Sequence, residues 1–556
     1  MVEFSAFTLP VLLETTVKKH APKPAVAFVG DEPVTYRDFL QRVKAVSALL
    51  EKLGVQPGDR VALLSANMPH WGIAYFGIVS MGAVVVPMLP DFSTEEVKNV
   101  LRHSRATALF VSQGLLSKLA SSNIHSLNFK ISIEDFRVLE GETDAVFDEK
   151  ASPEKAYAVA EDDLAAIIYT SGTTGRSKGV MLTHKNIAFN AVQSRTIQKI
   201  TPKDRFLSVL PLSHAYENTI GFILPLINGA SIYYLKRAPS PSVLIPALQK
   251  VKPTMMLTVP LIIEKIYRSR ILPNFMDSKV VKKLYGKPFF RKKLNRLAGK
   301  KLLKTFGGEL RFFGIGGAKI NEQVEKFLLE AKFPYAVGYG LTETAPLLAA
   351  FGPKDARLQA AGKVLEGVEI KIYQPDETTG EGEIWARGPN VMKGYYKEPE
   401  LTAQVLTPDG WFRTGDLGVF DEEGYLYIRG RSKNVIIGPG GENIYPEEIE
   451  SVINNFKHVV ESLVVEQKGK LVALVHFDRE EIEKKYHEIK DGVSDYVEKT
   501  YNELASDLKE YINSRVSRFA RIQQIIPQNE EFIKTATKKI KRFLYNERTE
   551  RNGEHV

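Results

Sequence analysis

Seven short apolar runs recur along the first three-fifths of the chain, and they constrain the fold more than any other feature. They are VALLSA (61–66), AVVVPML (83–89), TALFVS (107–112), LAAIIYT (164–170), FLSVLP (206–211), MMLTVP (255–260) and LRFFGIGG (310–317). Each is strand-length and predominantly apolar, as expected for strands buried on both faces. Arg42 to Leu53 and Glu95 to His103 carry the spacing of amphipathic helices. Buried strands alternating with helices predict an α/β fold with mostly parallel sheets. A chain of 556 residues needs several domains. After about residue 360 the pattern changes to short alternating strands between glycine turns, VEIKIY, GEIWARG and YLYIRG, which predict a small β-barrel-like subdomain or antiparallel sheet. From Arg431 a new unit begins, with strands ESLVVEQ and LVALVHF and a helical segment from Arg479 to about Arg515. The expected division is a large N-terminal domain over 1–429, a connection over 430–433 and a small α+β domain over 434–556.

One stretch imitates a membrane span. Trp71 to Leu89 carries no charge over 19 positions, but it contains Gly72, Gly77, Gly82 and Pro87 and ends in Val84–Val86. A buried helix followed by a buried strand accounts for it better. The first twenty residues lack a basic region followed by an apolar one, so no signal peptide is expected and the expected location is cytoplasmic. There is no cysteine, which excludes disulfides, thiolate nucleophiles and Cys-ligated metals. The net charge of +9 favours an anionic partner: nucleotide, nucleic acid or anionic membrane. Eleven Lys and Arg and no acidic residue lie between Asp277 and Glu309, interleaved with Leu, Val, Phe and Tyr. That pattern fits peripheral contact with an anionic membrane through 279–304, or a solvated pair of basic helices. Nucleic-acid binding rests on charge alone, since no DNA- or RNA-binding motif is present.

Several sites are excluded by their absence. No G-x-x-x-x-G-K-[ST], G-x-G-x-x-G or H-E-x-x-H occurs, and the ten histidines show no metal-ligand spacing. The strongest local signal is instead Tyr169-Thr-Ser-Gly-Thr-Thr-Gly-Arg-Ser-Lys-Gly179, directly after the buried run LAAIIYT. Glycines at 172 and 175 let backbone N–H groups approach an anion closely. Thr170, Ser171, Thr173 and Thr174 add hydroxyl donors, and Lys178 adds a charge at the exit.

YTSGTTGRSKGVMLTH closely resembles the phosphate loop of the adenylate-forming superfamily, which includes acyl- and aryl-CoA synthetases, luciferases and the adenylation domains of peptide synthetases. Five further segments fit the same pattern in the same order, so the resemblance covers roughly 25–545. In LPLSHAYE (210–217) it places His214 beside the acyl site. In Gly338-Tyr-Gly-Leu-Thr-Glu-Thr344 it puts Gly338, Tyr339 and Gly340 at the adenine, Thr342 on the α-phosphate, and Glu343, with Thr170, on Mg²⁺. Gly316, Gly317 and Ala318 would form the wall between adenine and acyl group. In WFRTGD, Asp416 would hold both ribose hydroxyls. Arg431 would contact ribose and phosphate, Lys433 would be the hinge, and the loop with Gly440, Gly441 and Glu442 would approach CoA. In FIKTATKKIKR (532–542) the usual glycine before the catalytic lysine is Lys538, and Lys539 is assigned as catalytic.

The resemblance implies a two-step reaction. A carboxylate and ATP give an acyl-adenylate and pyrophosphate, and the CoA thiol then gives a thioester and AMP, with Mg²⁺ as cofactor and ATP and CoA as co-substrates. The C-terminal domain would be mobile between the steps. The forms of LPLSHAYE and KTATKKIKR, and the length of the 479–515 segment, resemble the long-chain fatty-acid branch. The alternatives are a ligase for a medium-chain or aryl acid, transfer to a carrier protein, and an inactive lipid- or nucleotide-binding protein.

Overall fold

The computed structural model describes residues 3–119, 124–170, 177–276, 279–438, 442–467, 469–478, 494–535 and 539–546. Two large sheets carry the first four hundred residues. One has eight strands in the order Gly394–Tyr395, Lys178–Thr183, Leu164–Thr170, Val84–Met88, Arg60–Leu64, Ala108–Val111, Phe129–Ser132 and Val138–Glu140. The other has nine, in the order Lys363–Val364, Leu347–Phe351, Tyr335–Gly340, Phe312–Ile315, Met255–Thr258, Arg205–Ser208, Ser231–Tyr234, Pro24–Phe28 and Val34–Thr35. The central pairings of both are parallel, and antiparallel strands occur only toward the edges. All seven apolar runs hold one of these strands, as the alternation with helices requires.

The expected helices form at Tyr36–Lys52 and Thr94–Ser104. Thr35 caps the first by accepting from the Asp38 N–H. Ser93 and Glu96 form a reciprocal capping box on the second. The charge-free stretch is a helix, Pro69–Ser80, followed by the strand Val84–Met88, and every residue of that strand is buried. This helix packs against strands of both sheets, so its all-round apolar character serves a protein core. Gly77 is needed there, because a Cβ would lie 2.5 Å from Val46 of the neighbouring helix, whose Ser47 hydroxyl donates to the Gly77 carbonyl at 2.8 Å. Among the described residues no helix is long and apolar enough to cross a membrane.

The alternating strands after 360 form an open antiparallel sheet in the order Glu369–Tyr373, Gly382–Arg387, Phe412–Phe420, Leu426–Arg431, so the sheet arrangement is the one adopted. Its last strand runs into a short turn, Ser432–Asn434, that leads to the C-terminal unit. There Val459–Gln467, Lys470–Phe477 and Gln524–Gln528 form a three-stranded sheet against the helices Pro446–Ile453 and Ser494–Asn513. Its core, with Ile444, Ile449, Ile453, Val475, Leu508 and Ile522, draws only on residues after Arg431. Residues 479–493 of the expected long helical segment lie outside the described residues.

Candidate active site

The three sheets and the C-terminal unit converge on one cleft. From the eight-stranded sheet come Thr170 and Lys178, register partners where a strand leaves for the glycine-rich loop and where the next one begins. Ser171, Gly172, Thr173, Thr174 and Gly175 of that loop lie outside the described residues. The strands on either side of it, Leu164–Thr170 and Lys178–Thr183, pair antiparallel. Burial lowers the pKa of Lys178, Lys433 lowers it further, and Glu343 and Glu398 oppose them. Its amine sits 5.2 Å from the centre of the Tyr395 ring.

From the nine-stranded sheet comes Tyr335–Gly340, followed by the turn Thr342–Thr344. Gly338 and Gly340 have a packing role as well as any role at a ligand. A Cβ on Gly340 would lie 1.8 Å from the Pro346 carbonyl oxygen, and one on Gly338 would lie 2.8 Å from Leu347. Glu343 Oε1 accepts from the Tyr395 hydroxyl at 2.9 Å. Thr342 begins the turn, half-buried beside it.

The four-stranded sheet supplies an ion pair. Asp416 and Arg431 are register partners on adjacent strands, and Arg431 Nε donates to Asp416 Oδ1 at 2.7 Å. The Tyr339 hydroxyl donates to Oδ2 at 2.7 Å, tying this sheet to the nine-stranded one. Asp416 is buried. Desolvation pushes its carboxyl pKa up, Arg431, Tyr339 and Lys539 pull it back, and Glu343 adds to the rise. Burial opposes the Arg431 charge, but Asp416, Tyr339, Glu343 and Glu447 outweigh it and hold the guanidinium above its usual pKa.

The C-terminal unit contributes Lys539. Its backbone is held by the antiparallel Lys534–Ile540 bridge and by the Thr535 N–H, which donates to the Lys539 carbonyl at 2.8 Å. The side chain is accessible but walled by the cleft. Desolvation there is the main cause lowering its pKa, Arg431 is the next, and Asp416 and Glu343 work in the opposite sense. Lys538 lies outside the described residues. Lys534 is paired with Glu461 at 2.8 Å and faces its own sheet. Lys433 is exposed on the connecting turn. Glu442 is half-buried, and its carbonyl accepts from the Gly438 N–H at 2.8 Å; Gly440 and Gly441 lie outside the described residues.

His214 faces the same cleft. Burial, with Lys539 nearby, lowers its pKa to about 4, and the Tyr216 N–H donates to Nδ1 at 3.2 Å, so the ring is neutral at physiological pH. Gly316 follows the strand Phe312–Ile315, and a Cβ there would lie 3.1 Å from the Tyr216 ring. Gly317, with φ +86°, turns the chain, and Gly317 and Ala318 are exposed on the cleft side of that turn. Behind this wall runs an apolar cavity. Its lining includes Tyr216, Gly314 and Gly338, with Phe206, Ile220 and Phe351. No charged side chain lines it.

Three contributors were not legible beforehand. Tyr395, which holds Glu343 and covers Lys178, lies in MKGYYKEPE, a segment with no motif. Tyr216 stands inside LPLSHAYE, where only the histidine drew notice. Glu217 is 1% exposed and opens a π-helical segment, Glu217–Ile223, whose Ile220 lines the cavity. Ser208 donates to Glu217 Oε1 at 2.5 Å, and Asn67 donates to Ser208 at 3.0 Å. That chain ties the loop after Arg60–Leu64 to the nine-stranded sheet and to the π-helical segment.

These residues match a known group of proteins. The AMP-binding enzyme family matches residues 13–396. A long-chain-fatty-acid–CoA ligase, FadD15 of Mycobacterium bovis, is 30% identical over 485 residues, covering 81% of this chain and 78% of its own. A feruloyl-CoA synthase of Amycolatopsis is 30% identical over 442 residues, covering 78% of this chain and 81% of its own. The fold is similar to O-succinylbenzoate coenzyme A synthetase of Bacillus subtilis in complex with ATP and magnesium ion. The TM-score is 0.75 at 25% identity, over 96% of this chain and 98% of that one.

Glu217 gives a test of this wall. Burial raises its carboxyl pKa from about 4.5 to about 8, and Ser208 only partly offsets that rise. Between these values the folded state holds a proton that the unfolded state has lost, so stability falls as pH rises, by at most about 1.4 kcal/mol per pH unit. Glu217→Gln removes the titration. The stability of this variant relative to wild type, measured by urea unfolding, is expected to grow from pH 5 to pH 8 and then level off, these limits being set by the two pKa values. A pH-independent difference would place the Glu217 titration elsewhere. The family match over most of the chain, the relatives on both sides of it and the converging cleft agree: the chain belongs to the AMP-binding enzyme family and is an adenylate-forming acyl-CoA ligase.

Proposed function

We propose that the protein activates a long-chain fatty acid, first as the acyl-adenylate and then as the CoA thioester, releasing pyrophosphate and AMP. The observation that carries this reading is the cavity behind His214 and Tyr216. Its lining is apolar apart from Ser194 and Gln198, and it has no cation to pair a second carboxylate. An apolar tail without a second charge, alkyl or aryl, is the one that loses least by entering such a lining, and the choice of a long alkyl chain rests on the relatives. The relative that acts on long-chain fatty acids supports the same choice.

In this reading the carboxylate attacks the α-phosphorus of ATP at the mouth of the cavity. No enzyme nucleophile is required, and catalysis is positioning with charge stabilisation. Thr170, Ser171, Gly172, Thr173, Thr174, Gly175 and Lys178 cradle the phosphates. Gly316, Gly317 and Ala318 separate adenine from acyl chain, with Gly338, Tyr339 and Gly340 on the other side. Thr342 donates to the α-phosphate, and neutral His214 lines the carboxylate's approach. Asp416 spends one hydrogen bond per oxygen on Arg431 and Tyr339, which leaves acceptor capacity for both ribose hydroxyls. Lys539 faces the charge that develops on the phosphates.

Glu343 and Thr170 suit a hard cation. The second Glu343 oxygen accepts no hydrogen bond from a described residue, and no cluster of three acidic or His ligands exists among the described residues. That fits Mg²⁺, which is commonly held by one or two carboxylates together with substrate phosphates. When bound, it neutralises phosphate charge.

For the second step the unit 434–556 turns about Lys433, withdrawing Lys539 and bringing the loop of Gly440, Gly441 and Glu442 toward the CoA arm. The exposed turn Ser432–Asn434 supports this division. So do the contacts across it, which are polar and reversible. Tyr445 donates to Glu381 at 2.6 Å, and Asn321 donates to Asn455 at 2.7 Å.

Two measurements test the reading. Pyrophosphate release across a panel of short-chain, long-chain and aryl acids should be fastest with long alkyl chains, and thioester and AMP should appear only with CoA. Preference for an aryl acid would overturn the substrate assignment. Asp416→Asn should weaken ATP binding by about tenfold to a hundredfold, since hydrogen bonds to a charged group are worth about 1.5–3 kcal/mol. Unchanged affinity in a folded variant would reduce Asp416 to a structural partner of Arg431.

A further inference from the structure

The basic stretch between Asp277 and Glu309 folds as two helices, Lys279–Tyr285 and Pro288–Thr305, and only one face of the longer helix is engaged. Arg291 grips Glu330 with two nitrogens, Nε at 3.0 Å and Nη2 at 2.8 Å, and Asn295 donates to the same carboxylate at 2.8 Å. One turn on, Gly299 lies so close to the helix Glu322–Ala331 that a Cβ would stand 2.7 Å from Ala331 Cβ, and Leu302 is buried beyond it. Positions 291, 295, 299 and 302 make one helical stripe, so these contacts fix which side faces outward. Arg291 therefore belongs to the docked face, a correction to its reading as part of the basic surface.

The outward side is cationic and greasy at once. Nine Lys and Arg side chains are exposed between 282 and 304, and the sequence places no carboxylate among them. Val280 is 69% exposed, Phe289 66%, Leu297 65% and Phe290 40%. Four of the fourteen large apolar side chains exposed among the described residues thus fall within these two short helices. The Lys293 amine lies 5.1 Å from the Phe289 ring centre, a cation and an aromatic presented together. A face made only to be solvated has no use for two phenylalanines and a leucine in water. A face meant for a polyanion groove has use for the charges but not for the leucine and valine.

We propose that this outward face is a docking surface for an anionic lipid bilayer. Phe289, Phe290 and Leu297 enter the headgroup boundary, while the lysines extend to lipid phosphates along their own methylene stems. Among the described residues no helix can cross the bilayer, so the contact is peripheral and salt-sensitive. The proposal does not depend on which acid the enzyme activates.

The full-length chain is tested by sedimentation with vesicles of phosphatidylcholine alone or mixed with phosphatidylglycerol. Two variants are compared with wild type, each confirmed folded by an unchanged thermal unfolding midpoint. One carries Lys282→Gln, Lys283→Gln, Lys292→Gln and Lys293→Gln; the other carries Phe289→Ser and Leu297→Ser. Wild type should bind the anionic vesicles and be released by salt. The four-lysine variant should bind at least about a hundredfold more weakly, since each lysine near the surface contributes about fivefold. The Phe289/Leu297 variant should lose about tenfold even at low salt, from lost apolar insertion. Equal sedimentation of all three proteins, or equal binding to pure phosphatidylcholine, would overturn the proposal. Loss with the lysines but not with Phe289 and Leu297, together with comparable binding to duplex DNA, would overturn it in favour of general polyanion binding.

Discussion

The buried carboxylate of Asp416 is the point on which the architecture of the cleft turns. It receives Tyr339 from the nine-stranded sheet and Arg431 from the strand that leads into the C-terminal unit, each at 2.7 Å. A buried carboxylate left unpaired is costly, so the two partners hold both sheets and the exit strand in one geometry. That geometry sets where Lys433 begins the connection and from which side Lys539 enters. It also leaves acceptor lone pairs directed into the cleft, so the same residue is a structural clasp and the proposed ribose ligand.

A second constraint acts on the opposite wall. Glu217, Ser208 and Asn67 form a short hydrogen-bonded chain from the π-helical segment through the nine-stranded sheet to the loop after Arg60–Leu64, and Tyr216 and Ile220 beside it line the apolar cavity. The π-helical segment that starts at Glu217 is wider than an α-helix, and such segments recur at functional sites. A neutral His214 and a protonated Glu217 follow from the same cause, desolvation by burial.

Much of this was legible in the sequence, for reasons that can be named. Strand position followed from runs such as LAAIIYT, because a strand buried on both faces must be apolar at every position. The buried-helix reading of Trp71–Leu89 followed from its glycines, and the packing of Gly77 on Val46 gives the reason. Tyr339, Glu343, Asp416, Arg431 and Lys539 lie within one another's electrostatic reach although they come from segments up to two hundred residues apart. What escaped was pairing. Nothing in MKGYYKEPE indicates that Tyr395 meets Glu343, and nothing in the local pattern distinguishes Arg291, turned inward onto Glu330, from Lys292 beside it. Periodicity reports that a residue is buried or exposed, but a contact between distant elements depends on the whole fold.

The central claim is that two units share one active site, the second lending Lys539 to the first step only. Single-turnover measurement of the two half-reactions in Lys539→Ala tests it most directly, with Lys538→Ala as the control. The account predicts that Lys539→Ala slows adenylate formation by about a hundredfold to a thousandfold, as for a lost charge donor. Thioester formation from preformed acyl-adenylate should stay near the wild-type rate, and Lys538→Ala should leave both steps intact. Equal loss in both half-reactions, or a defect that follows Lys538 instead, would contradict it.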